Sequence, residues 1–157
     1  MKLLVFFRTT SVHEVALAAW IAQEFGAAGW SVDRFDLDTV SPPLGSPPLG
    51  GRFAPIRRSA GAALSAQLSV QDLAVFAADQ VVFADDGGPW LRQIAGWAAA
   101  AAVPVIAVAR RVDISTRELR TIGVEAAYQA GSAAAIRPIA TTWTPRPRPA
   151  AVLESSP

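Results

Sequence analysis

Short apolar runs alternate with amphipathic helical segments along this chain. The clearest unit lies within 79–113, where an apolar run over 80–84 is followed by a helical pattern over Pro89–Ala102 and a second apolar run over 103–109. Neither run alternates apolar with polar residues, which is typical of parallel strands covered on both faces. Parallel neighbours need a crossover connection, and a helix of this length supplies one. The pattern therefore predicts a β-α-β unit.

The same alternation continues over the rest of the chain. A strand over Leu3–Phe7 comes first, and Ser11 with Glu14 three residues later predicts a capping box that opens a helix ending near 26–29. Next come an exposed edge strand over 31–37 and a helical segment over 56–78, which has a break near 69–72 and an apolar stripe of Leu64, Leu68, Leu73 and Phe76. After the β-α-β unit, Ser115 and Glu118 form a second capping box that opens a short helix over 115–122. A strand over 124–129 and a last helical turn or two over 131–137 complete the predicted elements.

Strands that alternate with helices predict an α/β fold, a doubly wound and mostly parallel sheet of about five strands in the order 2-1-3-4-5. In that order the first and third strands are neighbours, and the crevice at the switch point lies between the loops 8–13 and 85–88. A length of 157 residues predicts one domain, which we assign to 1–140. The helix over 89–102 should bury one face, with Trp90 and Trp97 in the core.

Two segments lack periodicity. Residues 41–51, SPPLGSPPLGG, repeat a five-residue unit, and proline at this density excludes a helix or a central strand. An SH3-type ligand would need P-x-x-P spacing, which is absent, so we predict a plain linker. Residues 141–157 are predicted to be a flexible tail, in which Trp143 is the residue expected to dock back on the domain.

Composition narrows the classes of function. The absence of cysteine excludes disulfides and zinc–thiolate sites, and a net charge of +1 with scattered arginines argues against a nucleic-acid surface. No apolar run is long enough to span a bilayer, and the opening MKLLVFFR lacks a cleavage site. We therefore expect a cytoplasmic protein without a membrane or nucleic-acid partner.

The first candidate site is the loop Asp85-Asp86-Gly87-Gly88 after the predicted third strand. Asp85 and Asp86 could hold Mg²⁺ through water, or one of them could act as a general base in catalysis. Gly87 and Gly88 would let a phosphate approach the backbone at the start of the next helix. The alternative is a helix N-terminus whose acidic residues suit the helix dipole.

The second candidate site is the loop after the first strand, where Arg8, Thr9, Thr10 and Ser11 could bind a ligand anion or phosphate. The alternative is that Arg8 pairs with Asp85 or Asp86 and that Ser11 only caps the helix.

Further polar residues lie near the same predicted edge. His13 is expected to be solvated or to cap the helix. Arg110, Arg111 and Asp113 either reach the rim of the crevice or are solvated loop charges. The chain has no G-x-G-x-x-G or Walker motif, and its one lysine, Lys2, precedes the first strand.

The segment 77–131 resembles the C-terminal part of the bacterial glycerate kinase family. Residues 78–86 are similar to that family's ADLVVTGEG strand and loop, 102–110 to GVPVVAVAG, and 118–130 to ELRAAGVEAAYA. The opening strand and helix are similar more loosely. The resemblance implies ATP-dependent phosphorylation of D-glycerate, with ATP and Mg²⁺ as the cofactors.

The departures from that family fall on its functional motifs. Phe7-Arg8-Thr9-Thr10-Ser11 stands where the family has F-K-G-S, without the lysine, and residues 37–51 contain no A-D-G-G-E-G-T motif. The T-G-E-G loop is reduced to 83–86, where Asp85 matches the glutamate. The resemblance thus implies a shortened, weakly active or inactive kinase-like protein that serves as a ligand-binding or interaction domain.

Two other hypotheses remain open. One is a phosphotransferase completed by a partner subunit or a second copy of the chain. The other is a stand-alone nucleotide- or flavin-binding domain with a flavodoxin-like sheet, which depends on fold-level analogy.

Overall fold

The sheet that the sequence predicts forms the centre of the molecule. The computed structural model describes residues 1–39, 64, 66–82 and 89–145. In that part of the chain five parallel strands pair in the order β2-β1-β3-β4-β5, which confirms the predicted α/β fold and the strand order. The elements are β1 (Lys2–Phe7), α1 (Val12–Ala27), β2 (Ser31–Asp36), a 3₁₀ turn (Leu37–Thr39), β3 (Leu73–Val82), α2 (Pro89–Ala100), β4 (Val105–Asp113), α3 (Thr116–Thr121), β5 (Ala126–Gln129) and α4 (Ala133–Trp143).

Both faces of the sheet are covered, as its apolar strands require. Successive side chains of a strand point to opposite faces, so Leu3 and Val5 of β1 pack with α1 and α4, whereas Leu4 and Phe6 pack with α2 on the other side. Trp90 is buried in the second of these clusters, as predicted, and Trp97 is half-buried against it. The burial of both faces explains why the strand sequences show no alternation.

The predicted helical segment over 56–78 is wrong in its second half. Leu64 and residues 66–68 are helical, but Leu73–Val82 is the central strand β3, paired with both β1 and β4. The spacing of Leu68, Leu73 and Phe76 imitates a helical stripe. However, all residues from Leu73 to Ala78 are buried, because this strand has a helical layer on each side. The predicted break near 69–72 is therefore the boundary between helix and strand.

The last helix is longer than predicted. It runs from Ala133 to Trp143 and passes through Pro138, so residues 141–143 are helical. Burial of Ile136, Ile139 and Ala140 against the cluster that contains α1 compensates for the missing proline N–H. Trp143 does dock on the domain, because its Nε1 donates a hydrogen bond to the Tyr128 hydroxyl at 2.9 Å.

The two central strands extend beyond their neighbours. β1 pairs with β3 as far as Phe6 and Phe76, yet β3 continues over residues 77–82, about 20 Å at roughly 3.3 Å per residue. β4 likewise continues over 110–113 after its last pairing with β5. The carboxyl edge of the sheet is therefore stepped, with a two-stranded projection at its centre.

Three further predictions concern other parts of the chain. The linker over 41–51 and residues 146–157 of the predicted tail lie outside the described residues. Within the described residues, no helix is both long enough and apolar enough to cross a membrane.

Candidate functional site

The first loop, residues 8–11 between β1 and α1, is held by a carboxylate from its own helix. Glu14 is fully buried, whereas 39% of the Arg8 side chain is exposed. The Arg8 backbone N–H donates to Glu14 Oε1 at 3.1 Å, and the guanidinium Nε and Nη2 donate to the same carboxylate. Ser11 Oγ accepts from the Glu14 N–H, so the predicted capping box forms by half. The Glu14 side chain points to Arg8 instead of to the Ser11 N–H.

Two more carboxylates reach the first loop from the end of β2. The Thr9 N–H and hydroxyl donate to Asp36 at 3.2 and 2.9 Å. The Thr10 N–H donates to Asp38 Oδ2 at 2.8 Å. Since β2 is parallel to β1, its carboxyl end lies beside the first loop and delivers these two side chains. Three successive backbone N–H groups, those of Arg8, Thr9 and Thr10, therefore already bind carboxylates of the chain.

The titration of these groups reflects the contacts. The hydrogen bond to Glu14 raises the pKa of Arg8 and outweighs the effect of its partial burial. Partial burial acts to raise the pKa of Asp38, but the hydrogen bonds from Thr10 and Thr9, with the charge of Arg8, lower it below its ordinary value. Both pKa shifts favour the charged forms of Arg8 and Asp38.

A pocket opens beside the first loop at the same edge of the sheet. We call it the rim pocket. Its volume is about 200 Å³, and it is lined by His13, Ala16, Trp20, Arg110 and Gly131. His13, Ala16 and Trp20 lie three and four residues apart on α1, and therefore share one helix face. Arg110 comes just after the part of β4 that pairs with β5, and Gly131 comes soon after β5 itself, which places both at the carboxyl edge of that strand pair.

One aspartate links the rim pocket to the first loop. Asp79 of β3 accepts from Arg110 Nη1 at 3.5 Å, and its charge also contributes to the raised pKa of Arg8. About half of each side chain, Arg110 and Asp79, is exposed, so this ion pair is weak. Arg110 is therefore available to a ligand at little energetic cost.

The predicted site residues fall into three groups. Arg8, Thr9, Thr10 and Ser11 lie together in the first loop, where Glu14 is the carboxylate partner of Arg8 within the described residues. His13 and Arg110 line the rim pocket, whereas Arg111 and Asp113 form an exposed pair at 3.8 Å. Asp85, Asp86, Gly87 and Gly88 lie outside the described residues, so the predicted crevice, general base and Mg²⁺ site remain predictions. In the described part of the chain, no three His, Asp or Glu side chains converge on a possible metal position.

Sequence reasoning missed several residues of this edge. Asp36 and Asp38 are close to the first loop because β2 ends there, and the charge of Asp79 acts on Arg8 because β3 continues past the end of β1. The sequence did contain one signal for two of them. Asp36 is the last residue of β2 and Asp38 follows two residues later, so both had to lie at the carboxyl edge of the sheet. Trp20 carried no signal, since its position on α1 is also suited to the core.

The strand order and the helices on both faces define a flavodoxin-like fold. Two solved structures with this architecture are similar to the chain. One is a proposed quinone reductase from Klebsiella pneumoniae, with a TM-score of 0.55, 14% identity, and 95% of this chain and 87% of that chain covered. The other is an NAD(P)H:quinone oxidoreductase from Methanothermobacter marburgensis, with a TM-score of 0.53, 10% identity, and 90% and 94% covered. No family model and no curated protein sequence matches the chain.

These comparisons correct the resemblance to glycerate kinases. The two similar structures are named as quinone reductases and neither is a kinase, so the resemblance to glycerate kinases and the ATP-dependent phosphorylation of glycerate that it implied are wrong. Within the described residues, the segments that carried the resemblance are the end of β3, most of β4, and the end of α3 with β5. Every doubly wound sheet contains such units, so their sequences reflect burial and not a particular chemistry. The predicted homo-oligomer or partner subunit remains a prediction.

Proposed function

We propose that this chain binds a planar aromatic small molecule of the flavin or nucleotide class in the rim pocket. The observation that carries the proposal is the position of that pocket. It lies at the carboxyl edge of a doubly wound sheet, where ligands bind in this architecture. The names of the two similar structures, both quinone reductases, support the same class of ligand.

The chemistry of the rim pocket suits the ring of such a ligand. Trp20 supplies an aromatic surface for stacking, and Ala16 and Gly131 leave space beside it. Arg110 and His13 supply hydrogen-bond donors for ring carbonyl or nitrogen acceptors. A volume of about 200 Å³ is below the roughly 300–1,000 Å³ of pockets that enclose a whole drug-sized ligand. The pocket therefore accommodates a ring system better than an entire dinucleotide.

The phosphate group of such a ligand fits the first loop less well than its ring fits the rim pocket. In doubly wound folds a phosphate binds at the loop and helix N-terminus after the first strand. Here the N–H groups of that loop are bound to Glu14, Asp36 and Asp38. A bound flavin would supply hydride or electron transfer. This chain would hold the flavin ring between α1 and the carboxyl edge of β4 and β5.

Fluorescence titration with riboflavin and with FMN tests the proposal. We expect at least one of them to bind, and Trp20→Leu to weaken that binding about tenfold, because stacking on an aromatic side chain is worth about 1–3 kcal/mol. Trp97→Leu is the matched control. It removes a half-buried tryptophan from α2, on the other face of the sheet, and should leave the dissociation constant unchanged.

A second matched pair of variants tests the role of Arg110 in binding. Arg110→Gln should weaken binding several-fold, whereas Arg111→Gln should not, because adjacent strand residues point to opposite faces and Arg111 pairs with Asp113 instead. Absence of binding by both flavins and by the nucleoside and nucleotide pair adenosine and AMP would contradict the proposal. Equal effects of the two arginine variants would contradict the assignment of the ligand to the rim pocket.

A further inference from the structure

We infer that the ligand is held by its ring, without a phosphate group at the first loop, so that the preferred class is an unphosphorylated flavin-type compound. This inference rests on the proposed function and specifies the form of its ligand. It follows from a disagreement between the fold and its residues. The fold places a phosphate site at the first loop, and the chain fills that position with its own carboxylates.

Each backbone N–H group of the first loop already donates a hydrogen bond within the chain. The backbone N–H groups of Arg8, Thr9 and Thr10 donate to Glu14, Asp36 and Asp38 at 3.1, 3.2 and 2.8 Å. The Ser11 N–H donates to the Arg8 carbonyl at 3.2 Å. A phosphate would have to displace charge-assisted hydrogen bonds in order to gain bonds of the same kind, which leaves little net affinity.

The Arg8 guanidinium is occupied in the same way. It faces Glu14, which is fully buried and cannot be replaced by solvent without opening the start of α1. Glu14 also lies in the first turn of α1, where a negative charge already interacts with the helix dipole. The arginine is therefore already paired, and the dipole at this end of α1 already interacts with the charge of Glu14.

The charge of the first loop opposes a phosphate further. Three carboxylates and one guanidinium leave a net charge of −2 around residues 8–11. A phosphate monoester brings another charge of about −1.5 to −2 at neutral pH. The chain's one lysine, Lys2, lies at the opposite end of β1. Within residues 8–11, Arg8 is the one cationic side chain, and it is already bound to Glu14.

The test compares two flavins that differ by the phosphate alone. We expect riboflavin to bind the full chain at least as tightly as FMN. A loop that held the phosphate would favour FMN by about tenfold or more for each charge-assisted hydrogen bond. Adenosine and AMP, titrated by calorimetry, form a second pair that differs in the same way.

A double variant tests whether the carboxylates at the first loop are the reason that a phosphate group adds no affinity. Asp36→Asn with Asp38→Asn removes two negative charges from the loop and should tighten FMN binding fivefold or more while riboflavin affinity stays the same. Asp33→Asn with Glu125→Gln removes two charges from exposed positions away from the loop and should leave the ratio unchanged. Thermal unfolding verifies that both variants are folded.

The outcomes separate the two proposals. If FMN binds wild-type protein tenfold tighter than riboflavin, this inference is overturned and the proposed function stands. An unchanged ratio in the Asp36 and Asp38 variant also overturns the inference. If neither flavin and neither adenine compound binds, the proposed function fails, and the inference fails with it.

Discussion

The first loop and the rim pocket lie side by side at one edge of the sheet, yet their polar groups differ in what they bind. In the first loop, the backbone N–H groups of residues 8–10 donate to carboxylates of the chain, and one of these carboxylates, Glu14, is fully buried. In the rim pocket, Arg110 has a weak partner in Asp79, and His13 is exposed. The polar groups of the first loop thus stabilise the fold, whereas the hydrogen-bond donors of the rim pocket can bind a ligand.

This contrast shows that a position in a fold does not determine its use. A doubly wound sheet directs ligands to its carboxyl edge, but the residues at each point of that edge decide whether a ligand or the chain itself is bound there. Where the chain satisfies its own donors, substitutions should mainly change stability. Where it does not, they should mainly change binding.

The largest expected difference is between two arginines. Arg8→Ala leaves the buried Glu14 carboxylate without its guanidinium partner, and should lower the free energy of unfolding by about 3 kcal/mol. Arg110→Ala removes a half-exposed ion pair and should cost less than about 0.5 kcal/mol. Urea denaturation followed by tryptophan fluorescence measures both. Similar losses for the two variants would show that the loop and the pocket do not differ in this way.

The next difference is between two residues at the start of α1. Ser11 caps the helix by accepting from the Glu14 N–H at 3.3 Å, so Ser11→Ala should cost about 1 kcal/mol. His13→Ala, at an exposed position of the rim pocket, should change stability by less than about 0.5 kcal/mol. Ser115→Ala, at the N-cap of α3, is the reference for the cost of losing a cap. A loss for His13→Ala as large as that for Ser11→Ala would assign the histidine a structural role.

The smallest expected effect concerns acid stability. The pKa of Asp38 is lower in the folded chain than its ordinary value of 3.8, so its carboxylate stabilises the fold above that pH. This contribution is lost as the pH falls below 3.8 and through the folded pKa. Asp38→Asn should therefore cost about 0.5 kcal/mol at neutral pH and flatten the decline of melting temperature below about pH 4.

The same variant at neutral pH provides the control for that measurement, because the carboxylate of wild-type Asp38 is fully ionised there. A variant whose melting temperature falls as steeply in acid as that of wild type would indicate that Asp38 does not contribute to the stability of the first loop.

The fold was predictable because its signals are local. The apolar run over 103–109, the capping box of Ser115 and Glu118, and the glycine at 123 each specify an element through nearby residues. Strand β3 was missed in part because Leu73–Ala78 is buried on both faces, and a continuous apolar run fits a buried helix as well as a buried strand. Its neighbours in the sheet, and not its own sequence, decide between the two.

The site was far less predictable. Glu14 had the spacing of a capping residue, but the structure joins its side chain to Arg8, six residues earlier. Trp20 and Arg110, ninety residues apart in the chain, line one pocket. Such contacts depend on strand order and on where each strand ends, and no local pattern contains that information.

The amino-acid sequence by itself determined the alternation of strands and helices and the parallel sheet, because burial on both faces leaves apolar runs without alternation. The strand order was predicted from the doubly wound architecture, and the strand pairing confirms it. Only the tertiary structure decided that the first loop binds its own carboxylates and that a pocket remains beside it. The physical reason is that hydrogen bonds and ion pairs act over about 3 Å, and the ends of separate parallel strands come that close only when the sheet is assembled.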